Sequence, residues 1–348
     1  MKLLEKELYK NDIKYITSLD LPWNKIENKT ILISGASGMI GSCMIDALMS
    51  KNINIKVIAL GRNEKKAKER FNEYWNSNNF TFVQCDINEP IKEIGNINFI
   101  VHAASNTHPR QYSLDPIGTV TTNIIGTNNL LNYAASHEVE RFVFASSVEV
   151  YGENRGDTEK FNEDYCGYID CNSLRAGYPE SKRAGEALCQ AFIKQKGLDI
   201  VIPRLSRTYG PTMLMSDSKA IAQFIKKGVS KEDIVLKSEG TQFYSYSYVV
   251  DAVTALLTIL LKGECGEAYN IADDNSDIAL KDLAKIIAEF VEKKVIFELP
   301  DETEAAGYSK ATKAVLDSRK LQTLGWKAKY DIKNGLHRTI QILNDINL

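Results

Sequence analysis

The chain alternates short apolar runs with longer amphipathic stretches from about Thr30 to Pro203. The short runs are rich in β-branched and aromatic residues and lack polar alternation, which is typical of strands covered by helices on both faces. Strands are predicted at ILIS (31–34), KVIAL (56–60), FTFVQ (80–84), NFIVHA (98–103), RFVFAS (141–146) and DIVIPR (199–204). Helical patterns between them include 42–51, 122–137 and 181–195. This order predicts an α/β fold built on a doubly wound parallel sheet.

The two ends of the chain follow other patterns. Residues 1–28 carry an apolar stripe that predicts a packed helical extension. After residue 204 the repeat gives way to loops, a strand-like run at 267–272 and helical patterns at 280–293 and 332–343, which predict a smaller C-terminal α/β lobe. The expected domains are the helical extension at 1–28, the main sheet domain at 29–204 with 246–262 returning to it, and the smaller lobe, mainly 205–348.

Composition and charge indicate which kinds of binding partner the protein has. The chain has 44% apolar and 25% charged residues, as ordinary globular proteins do. Its 43 basic and 45 acidic residues nearly cancel, so no charge field would recruit nucleic acid. The longest apolar stretch, Ala252 to Leu261, is about half of the ~20 residues that a membrane span needs. We expect a cytoplasmic protein with a small-molecule substrate and with neither nucleic-acid nor membrane partners.

The six cysteines and four histidines favour no metal site. The cysteines form no CxxC pair, and the spacing of cysteine and histidine matches no zinc motif. We therefore expect no metal and no disulfide framework, with the thiols kept reduced.

A glycine-rich turn, GASGMIG, joins the first predicted strand to the first predicted helix. Glycine serves there for a tight turn, for close approach of a pyrophosphate and for helix-to-sheet packing, while the helix N-terminus faces the phosphates. This strand–turn–helix context, in the first unit of the repeat, predicts a dinucleotide cofactor. The loop residues assigned to its binding are Gly35, Ser37, Gly38, Met39, Ile40 and Gly41.

The residue after the second strand bears on the choice of cofactor. An NAD site usually has an acid there for the ribose 2′-hydroxyl, but this chain has Arg62. A guanidinium can pair with a 2′-phosphate, so the sequence favours NADP, with NAD as the alternative. Asp86, after the third strand, is placed to accept a hydrogen bond from the adenine amine. The other residues assigned to the cofactor are Ile87, Ala103, Ala104, Ser105, Asn123, Tyr178, Lys182 and Pro203.

Tyr178 and Lys182 lie four residues apart in YPESK and therefore on one face of a predicted helix. A free tyrosine has a pKa of about 10, so an ammonium is needed to stabilise its phenolate near neutral pH, and Lys182 is expected to supply it. Ser147, at the end of the fifth strand, is expected to hydrogen-bond the substrate oxygen whose proton Tyr178 removes as hydride leaves. Glu149 shares a face with Ser147 if the strand stays extended, and is then a further acid/base candidate. The other interpretation of Glu149 is a surface glutamate.

Together these motifs resemble the extended short-chain dehydrogenase/reductases, specifically the NAD(P)-dependent nucleotide-sugar epimerase/dehydratase family. The resemblance runs from about Thr30 to Leu343 through GASGMIG, HAAS, SSVEVYG, YPESK, PRLSRTYGP, YSYVVDAV, EAYNIA and LGW. It implies a Rossmann-type domain, a C-terminal lobe for a nucleotide-diphosphate sugar, most often of UDP or dTDP, and a homodimer joined through a helix bundle. It also implies oxidation at the sugar's carbon 4, which acidifies neighbouring positions for epimerisation, loss of water or decarboxylation, in the supply of polysaccharide precursors.

The stretch around Tyr178, including Arg175, resembles UDP-glucuronate decarboxylases, but other positions differ. Val148 stands where those decarboxylases have serine and 4,6-dehydratases have an acid, which disfavours simple 4,6-dehydration. Tyr244 replaces a family arginine that contacts the substrate, so a uronate would lose an expected partner. Arg207, where relatives often have asparagine, is either a charge directed toward the diphosphate or a structural arginine.

The sequence thus favours an epimerase/dehydratase-type enzyme in which Ser147, Arg207 and Tyr244 contact the substrate. UDP-glucuronate decarboxylation and reduction of a keto-sugar are the alternatives within the same chemistry. A cofactor-binding scaffold without catalysis is the remote alternative, which the presence of both Tyr178 and Lys182 disfavours.

Overall fold

A computed structural model describes residues 3–107, 112, 114–298 and 312–347 of the chain. The strands are β1 (Lys29–Ser34), β2 (Ile55–Gly61), β3 (Phe80–Gln84), β4 (Phe99–His102), β5 (Arg141–Phe144), β6 (Ser146–Ser147), β7 (Ile200–Leu205), β8 (Arg207–Tyr209), β9 (Ile234–Leu236), β10 (Phe243–Tyr248), β11 (Ala268–Ile271), β12 (Asp277–Ala279), β13 (Val295–Phe297) and β14 (Lys313–Ala314). The helices are α1 (Glu7–Ser18), α2 (Met39–Ser50), α3 (Glu64–Arg70), α4 (Pro116–Thr121), α5 (Thr127–Ser136), α6 (Gly177–Lys196), α7 (Ala220–Val229), α8 (Val249–Lys262), α9 (Leu280–Phe290), α10 (Arg319–Gln322) and α11 (Ile332–Asn347).

One parallel sheet organises the larger part of the molecule. Its strands lie in the order β11–β7–β5–β4–β1–β2–β3, and β6 continues β5 along β7. All neighbours are parallel, with Ile31 of β1 aligned to Val57 of β2 and to Phe99 of β4. The predicted α/β fold with a doubly wound, Rossmann-type parallel sheet is confirmed. The strand order reverses between β1 and β4, which places the ligand crevice at the carboxyl ends of these two strands.

The apolar runs of the sequence form this sheet because both of its faces are covered. Ile31, Leu32 and Ile33 of β1 are fully buried, although successive side chains point to opposite faces. Helix α8 packs against β7 and α2, so the longest apolar stretch of the chain is a buried helix. No helix in the described part of the chain is long and apolar enough to cross a membrane.

A smaller α/β region follows β7, as predicted. Strand β10 pairs with β12, β14 and β8, and β9 pairs with β13 in a separate two-stranded sheet. Helices α7, α9 and α11 pack together beside these strands. Since β8 begins at Arg207, two residues after β7 ends, the two sheets meet close to the carboxyl edge of the large sheet.

The N-terminal helix α1 packs against α2, α8 and α11. Its Tyr9 hydroxyl donates to Asp46 Oδ2 of α2 over 2.6 Å, and Asp12 Oδ2 accepts from the Tyr248 hydroxyl over 2.7 Å. Arg338 of α11 also donates to Asp12. Polar bonds among buried groups therefore join this segment to both regions of the molecule.

The cysteines and acidic groups of the described residues give no metal site. All six cysteines are free thiols. Within residues 3–107, 112, 114–298 and 312–347, no group of three or more His, Cys, Asp or Glu side chains is placed to hold a metal ion.

Candidate active site

The glycine loop lies between β1 and α2, and its glycines are required by close packing. Gly35 has φ +69°, and a Cβ there would lie 2.7 Å from the backbone of Ala103 at the end of β4. A Cβ on Gly41 would lie 2.6 Å from Gly35 O. Gly38 caps α2 without a side chain, so the first amides of the helix are left for another acceptor. The remaining loop residues assigned to the cofactor, Ser37, Met39 and Ile40, are half-buried.

A polar chain runs from the end of β4 to the helix that carries Tyr178. Ala103 and Ala104 are half-buried beside the glycine loop, and Ala103 N donates to Ser34 O. The Ser105 hydroxyl donates to Asn123 Oδ1 over 2.7 Å, and Asn123 Nδ2 donates to the Ser181 hydroxyl over 2.9 Å. Asn123 lies in a π-helical turn, Thr122–Gly126, between α4 and α5. Such turns often occur at functional sites, and this one aims the Asn123 amide at the site.

Four further residues assigned to the cofactor lie after β2, after β3 or within β7. Arg62 and Asp86 are exposed after β2 and β3, and Asp86 Oδ1 accepts from Asn88 N. Ile87 is buried and would touch a Cβ at Gly126. Pro203 is buried within β7, where it pairs with Tyr269.

Tyr178 lies at the start of α6 and is buried at the carboxyl edge of the large sheet. The side chains of Ser147 and Ser105 both lower the pKa of its hydroxyl. Burial raises the pKa of Tyr178 to about 12, and these two side chains oppose the rise only in part. Ser147 therefore acts on the Tyr178 hydroxyl, and the contact of both with one substrate oxygen stays a prediction.

Lys182 lies one turn further along α6, on the face of Tyr178, and is buried. Its Nζ donates to Ala145 O over 2.8 Å. Burial lowers the pKa of Lys182 to about 8, against the negative charge of Glu186, which raises it. The pKa of Tyr178 is raised overall, because desolvation of the phenol outweighs Ser147, Ser105 and the positive charge of Arg175, which lower it. The expected effect of Lys182 on this pKa stays a prediction.

Glu149 does not continue the strand of Ser147, so the predicted shared face is wrong. The strand ends at Ser147, whose Oγ accepts from Glu149 N over 3.3 Å and starts a short 3₁₀ helix, Val148–Tyr151. Val148 is buried in that turn. The capping bond of Ser147 favours the turn over an extended chain. Glu149 nevertheless faces the site, because its carboxylate reaches Arg175 and Arg207.

Two arginines hold the Glu149 carboxylate from different elements. Arg175 Nη2 donates to Glu149 Oε2 over 2.8 Å, and Arg207 Nη2 lies 3.7 Å from Glu149 Oε1. The Arg207 guanidinium also lies 3.4 Å from the ring centre of Tyr244, a buried residue of β10. The structure thus brings Glu149, Arg207 and Tyr244 together, and their contact with a substrate stays a prediction.

Sequence reasoning did not assign Arg175 or Tyr112 to the site. The Tyr112 ring stacks on the Tyr178 ring with 5.0 Å between centroids, and the Arg175 guanidinium lies 4.8 Å from the centre of the Tyr112 ring. Arg175 belongs to the stretch that resembles decarboxylases, which was a usable signal. Tyr112 belongs to no motif or periodic pattern, and its position depends on the tertiary fold.

A second hydrogen-bond network surrounds Glu186, whose charge acts on Lys182. Glu186, one turn after Lys182, accepts from Ser146 Oγ over 2.5 Å and from Arg204 Nη2 over 2.7 Å. Arg204 Nη1 donates in turn to the Tyr151 hydroxyl over 3.0 Å. This network fixes the carboxylate whose charge raises the pKa of Lys182.

Comparison with known proteins gives consistent matches. The sequence model described as "NAD dependent epimerase/dehydratase family" matches residues 31–272. UDP-glucuronic acid decarboxylase 1 of Danio rerio is 30% identical over 317 residues, which cover 90% of this chain and 72% of that protein. UDP-glucuronic acid decarboxylase 5 of Arabidopsis thaliana is 30% identical over 313 residues, covering 89% of this chain and 87% of that protein.

Solved structures share the fold. UDP-glucose 4-epimerase of Thermotoga maritima with UDP-glucose superposes with a TM-score of 0.79 at 24% identity, covering 92% of this chain and all of that one (100%). UDP-glucuronic acid 4-epimerase of Bacillus cereus with UDP-glucuronic acid and NAD superposes with a TM-score of 0.77 at 21% identity, covering 91% of this chain and 99% of that one. At these identities the superpositions establish the fold.

Proposed function

The chain belongs to the NAD-dependent epimerase/dehydratase family, and from that premise we propose that it oxidises carbon 4 of a nucleotide-diphosphate sugar and then changes a neighbouring carbon. The observation that carries the proposal is that Tyr178 and Lys182 are buried on one face of α6 at the carboxyl edge of the sheet, where Ser147 and Ser105 act on the Tyr178 hydroxyl. The nucleotide is UDP or dTDP, because the relatives are named for sugars of these two nucleotides. The product serves polysaccharide synthesis.

The residues around the glycine loop fit a nicotinamide dinucleotide. The loop brings backbone without side chains to the N-terminus of α2, where free amides and the helix dipole favour a pyrophosphate. The polar chain from Ser105 through Asn123 leads from this loop to Tyr178. When bound, the nicotinamide ring supplies the acceptor for hydride from carbon 4.

The chain's own residues move the proton. Ser147 orients the carbon 4 hydroxyl, and Tyr178 accepts its proton as the carbon is oxidised. Lys182 contributes a positive charge on the same helix face, which favours the phenolate that this step requires. The resulting ketone makes the adjacent C–H groups acidic, and Glu149 is placed to exchange a proton there. The stacked ring of Tyr112 keeps Tyr178 in one orientation.

The test is a product-mass assay on purified protein with NAD or NADP. A panel of UDP-, dTDP-, GDP- and CDP-sugars is incubated, and product masses are followed over time. We expect a product from a UDP- or dTDP-sugar without stoichiometric consumption of the cofactor. A new chromatographic peak of unchanged mass indicates epimerisation, and loss of 18 mass units indicates dehydration. Gain of 2 mass units, in a parallel reaction with NADH or NADPH as hydride donor, indicates reduction. Absence of conversion across the panel would contradict the proposal.

Decarboxylation is the second candidate, and the curated relatives favour it. Two of them that are 30% identical to this chain are UDP-glucuronic acid decarboxylases. Oxidation at carbon 4 of a uronate gives a β-keto acid, which loses carbon dioxide without further catalysis by a metal. Carbon dioxide release from UDP-glucuronate, with a mass loss of 44, separates this reaction from the others.

The choice of cofactor rests on opposing observations. Arg62 is exposed at the end of β2, where it can pair with a 2′-phosphate, and this favours NADP. The family description and the NAD held by several structures of the same fold favour NAD. The dissociation constants of NAD and NADP are measured for the wild type and for Arg62→Ala. If Arg62 contacts a 2′-phosphate, the variant loses affinity for NADP but not for NAD.

We also propose a homodimer and a division of labour between the two regions. Residues 29–204 with 246–262 bind the cofactor, and residues that are mainly in 205–348 bind the nucleotide sugar. The helices α4 to α6 form the dimer contact, because three apolar side chains on or beside α4 and α5 are exposed: Leu114 by 65%, Ile117 by 76% and Ile125 by 43%. The six free thiols favour a reducing, cytoplasmic location.

A further inference from the structure

The guanidinium groups of Arg175 and Arg207 converge on one carboxylate at the reacting end of the site. Each uses its Nη2 atom for Glu149, over 2.8 Å and 3.7 Å. Both side chains are largely buried, with 19% and 18% of their surface exposed. Two positive charges therefore face a single negative charge, and one positive charge remains unbalanced in a partly desolvated place.

Three other donor atoms of these arginines have no acceptor. Arg175 Nε and Nη1 and Arg207 Nη1 are buried and make no hydrogen bond with any residue that the structure describes. A buried charged donor without a partner destabilises a protein, so such donors are typical of sites that a ligand completes. Planar, forked guanidinium groups bind carboxylates and phosphates best.

Arg207 is held in place by an aromatic face. Its guanidinium lies 3.4 Å from the ring centre of Tyr244, and β8 and β10 pair in parallel so that Arg207 lies opposite Tyr246. Stacking fixes the plane of the guanidinium and leaves its edge free to donate hydrogen bonds. The aromatic residue at 244 and the arginine at 207 thus act as one unit that presents a positive charge beside Glu149.

The position of these donors distinguishes between the two anionic groups of a sugar nucleotide. Glu149 is two residues from Ser147, and Arg175 stacks on Tyr112, which stacks on Tyr178. The donors therefore surround the end of the sugar where carbon 4 reacts. In a pyranose ring, the diphosphate on carbon 1 lies across the ring from carbon 4, whereas the substituent of carbon 5 is adjacent to it.

We propose that Arg175 and Arg207 bind a carboxylate on carbon 5 of the sugar, so that the substrate is a nucleotide-linked uronic acid and Arg207 determines this specificity. The inference rests on the function proposed above and names its substrate class. The presence of Tyr244 in place of the family arginine then leaves the carboxylate with a partner. Arg207, on the neighbouring strand β8, supplies the guanidinium instead.

The test compares binding of two ligands that differ only in this carboxylate. UDP-glucuronate and UDP-glucose, and the corresponding dTDP pair, are titrated by calorimetry into the full-length protein without added cofactor, so that the sugar is not oxidised during the titration. The variants are Arg207→Gln, which removes the charge, and Arg207→Lys, which keeps the charge but not the planar fork. Arg155→Gln is the matched control, because Arg155 is an exposed arginine outside the site.

We expect the wild type to bind the glucuronate at least about 10-fold more tightly than the glucose compound, which is what a charge-assisted hydrogen bond contributes. Arg207→Gln should lose that preference and keep its affinity for the glucose compound within about 3-fold, whereas Arg207→Lys should retain part of the preference. Arg155→Gln should bind both ligands as the wild type does.

Two results would overturn the inference. Equal affinity of the wild type for both ligands means that no carboxylate is recognised, and this holds whether or not the variants fold. If a folded Arg207→Gln protein loses the same affinity for both sugar nucleotides and for UDP alone, Arg207 contacts the diphosphate. Failure of the function itself has a different signature, because the wild type would then bind none of the four nucleotide sugars.

Discussion

At the scale of single residues, burial governs the ionisation of the groups that move the proton. It raises the pKa of Tyr178 to about 12 and lowers the pKa of Lys182 to about 8, so each group is shifted toward its neutral form. His102, which bonds to Ser34 and Thr127, has its pKa lowered to about 3 and stays neutral. At neutral pH Tyr178 is a phenol and Lys182 is largely protonated. Only the phenolate can accept the substrate proton, so positive charge brought near Tyr178 by a bound ligand is needed to lower its pKa.

Replacement of Tyr178 by phenylalanine tests its role as the proton acceptor. The Tyr178→Phe protein should bind NAD or NADP nearly as the wild type does, because the ring and its stacking on Tyr112 are retained. Its kcat should fall by about 10²–10⁴-fold, the range for loss of a general base. Tyr168→Phe, at a tyrosine that is 55% exposed, should keep full activity. Full turnover of Tyr178→Phe in the product-mass assay would refute the assignment.

Replacement of Glu186 by glutamine tests the support of Lys182. Glu186 is the leading group that raises the pKa of Lys182 against burial, so its neutralisation should move that pKa below 8. The Lys182 ammonium is present below its pKa and is lost as pH rises through it. The alkaline limb of kcat/KM against pH should therefore shift to lower pH by roughly one unit.

The pH profile separates this positioning role from a purely structural one. Glu186→Asp keeps the charge and should restore much of the alkaline limb, although the shorter side chain weakens the bonds to Ser146 and Arg204. An unchanged limb in a folded Glu186→Gln protein would show that Glu186 does not act through Lys182.

The sequence could predict which residue types form the site, but not all of their contacts. Motif and spacing were enough for Tyr178 and Ser147, since a hydroxyl at a strand end and a tyrosine at a helix start meet at the same sheet edge. The contacts of Arg207 and Tyr112 depend on tertiary packing, which brings them to Tyr244 and Tyr178. The strand also ends earlier than its residue pattern predicts. Glu149 N donates to the Ser147 hydroxyl, and this local bond favours a turn over an extended chain.

At the scale of elements, the glycine loop is where backbone geometry and packing act together. Gly35 needs a positive φ, and its Cα faces the backbone of Ala103 so closely that no side chain fits. The loop thereby fixes the distance between β1 and β4 at the point where the strand order reverses. The cofactor crevice depends on that distance.

Replacement of Gly35 by alanine should therefore destabilise the protein and abolish cofactor binding. Its Cβ would lie 2.7 Å from Ala103 backbone atoms, and relief of that overlap requires movement of the strand end. Gly156→Ala is the matched control, because Gly156 also has a positive φ, +81°, but has no atom within 4 Å of the added Cβ. It should lose only about 1 kcal/mol in urea unfolding and keep its affinity for the cofactor. Equal losses in the two variants would contradict the packing argument.

Elements were predictable where the apolar pattern is continuous. The run at 80–84 is β3 itself, and the run at 31–34 is extended by two residues in β1. The helix predicted at 122–137 starts earlier in the structure and contains a π-helical turn at Thr122–Gly126. Hydrophobic periodicity does not specify such a turn, because one inserted residue per turn changes the pattern too little. The short strands β8 and β14 exist only through their pairing with β10.

At the scale of the whole molecule, the described parts of the two regions are joined by more than the chain between them. Helix α1 is bonded to α2 through Tyr9 and to β10 and α11 through Asp12. The site is formed from both regions, with Tyr178 and Glu149 from one and Arg207 and Tyr244 from the other. A fixed relation between the regions is needed for Arg207 to meet Glu149, and the polar bonds of α1 contribute to it.

The exposed apolar side chains near α4 and α5 predict a dimer that a single charge disrupts. Ile117 is 76% exposed on α4, and Leu114, just before this helix, is 65% exposed, so their burial in a partner would favour association. We expect sedimentation equilibrium to give twice the 39.0 kDa chain mass for the wild type, and a mass near that of one chain for Ile117→Glu at micromolar concentration. Phe297→Glu, at another exposed apolar residue, 57% accessible on the edge pair β9–β13, should remain dimeric. A monomeric wild type would contradict the dimer, and a dimer that only Phe297→Glu disrupts would place the contact at β9–β13.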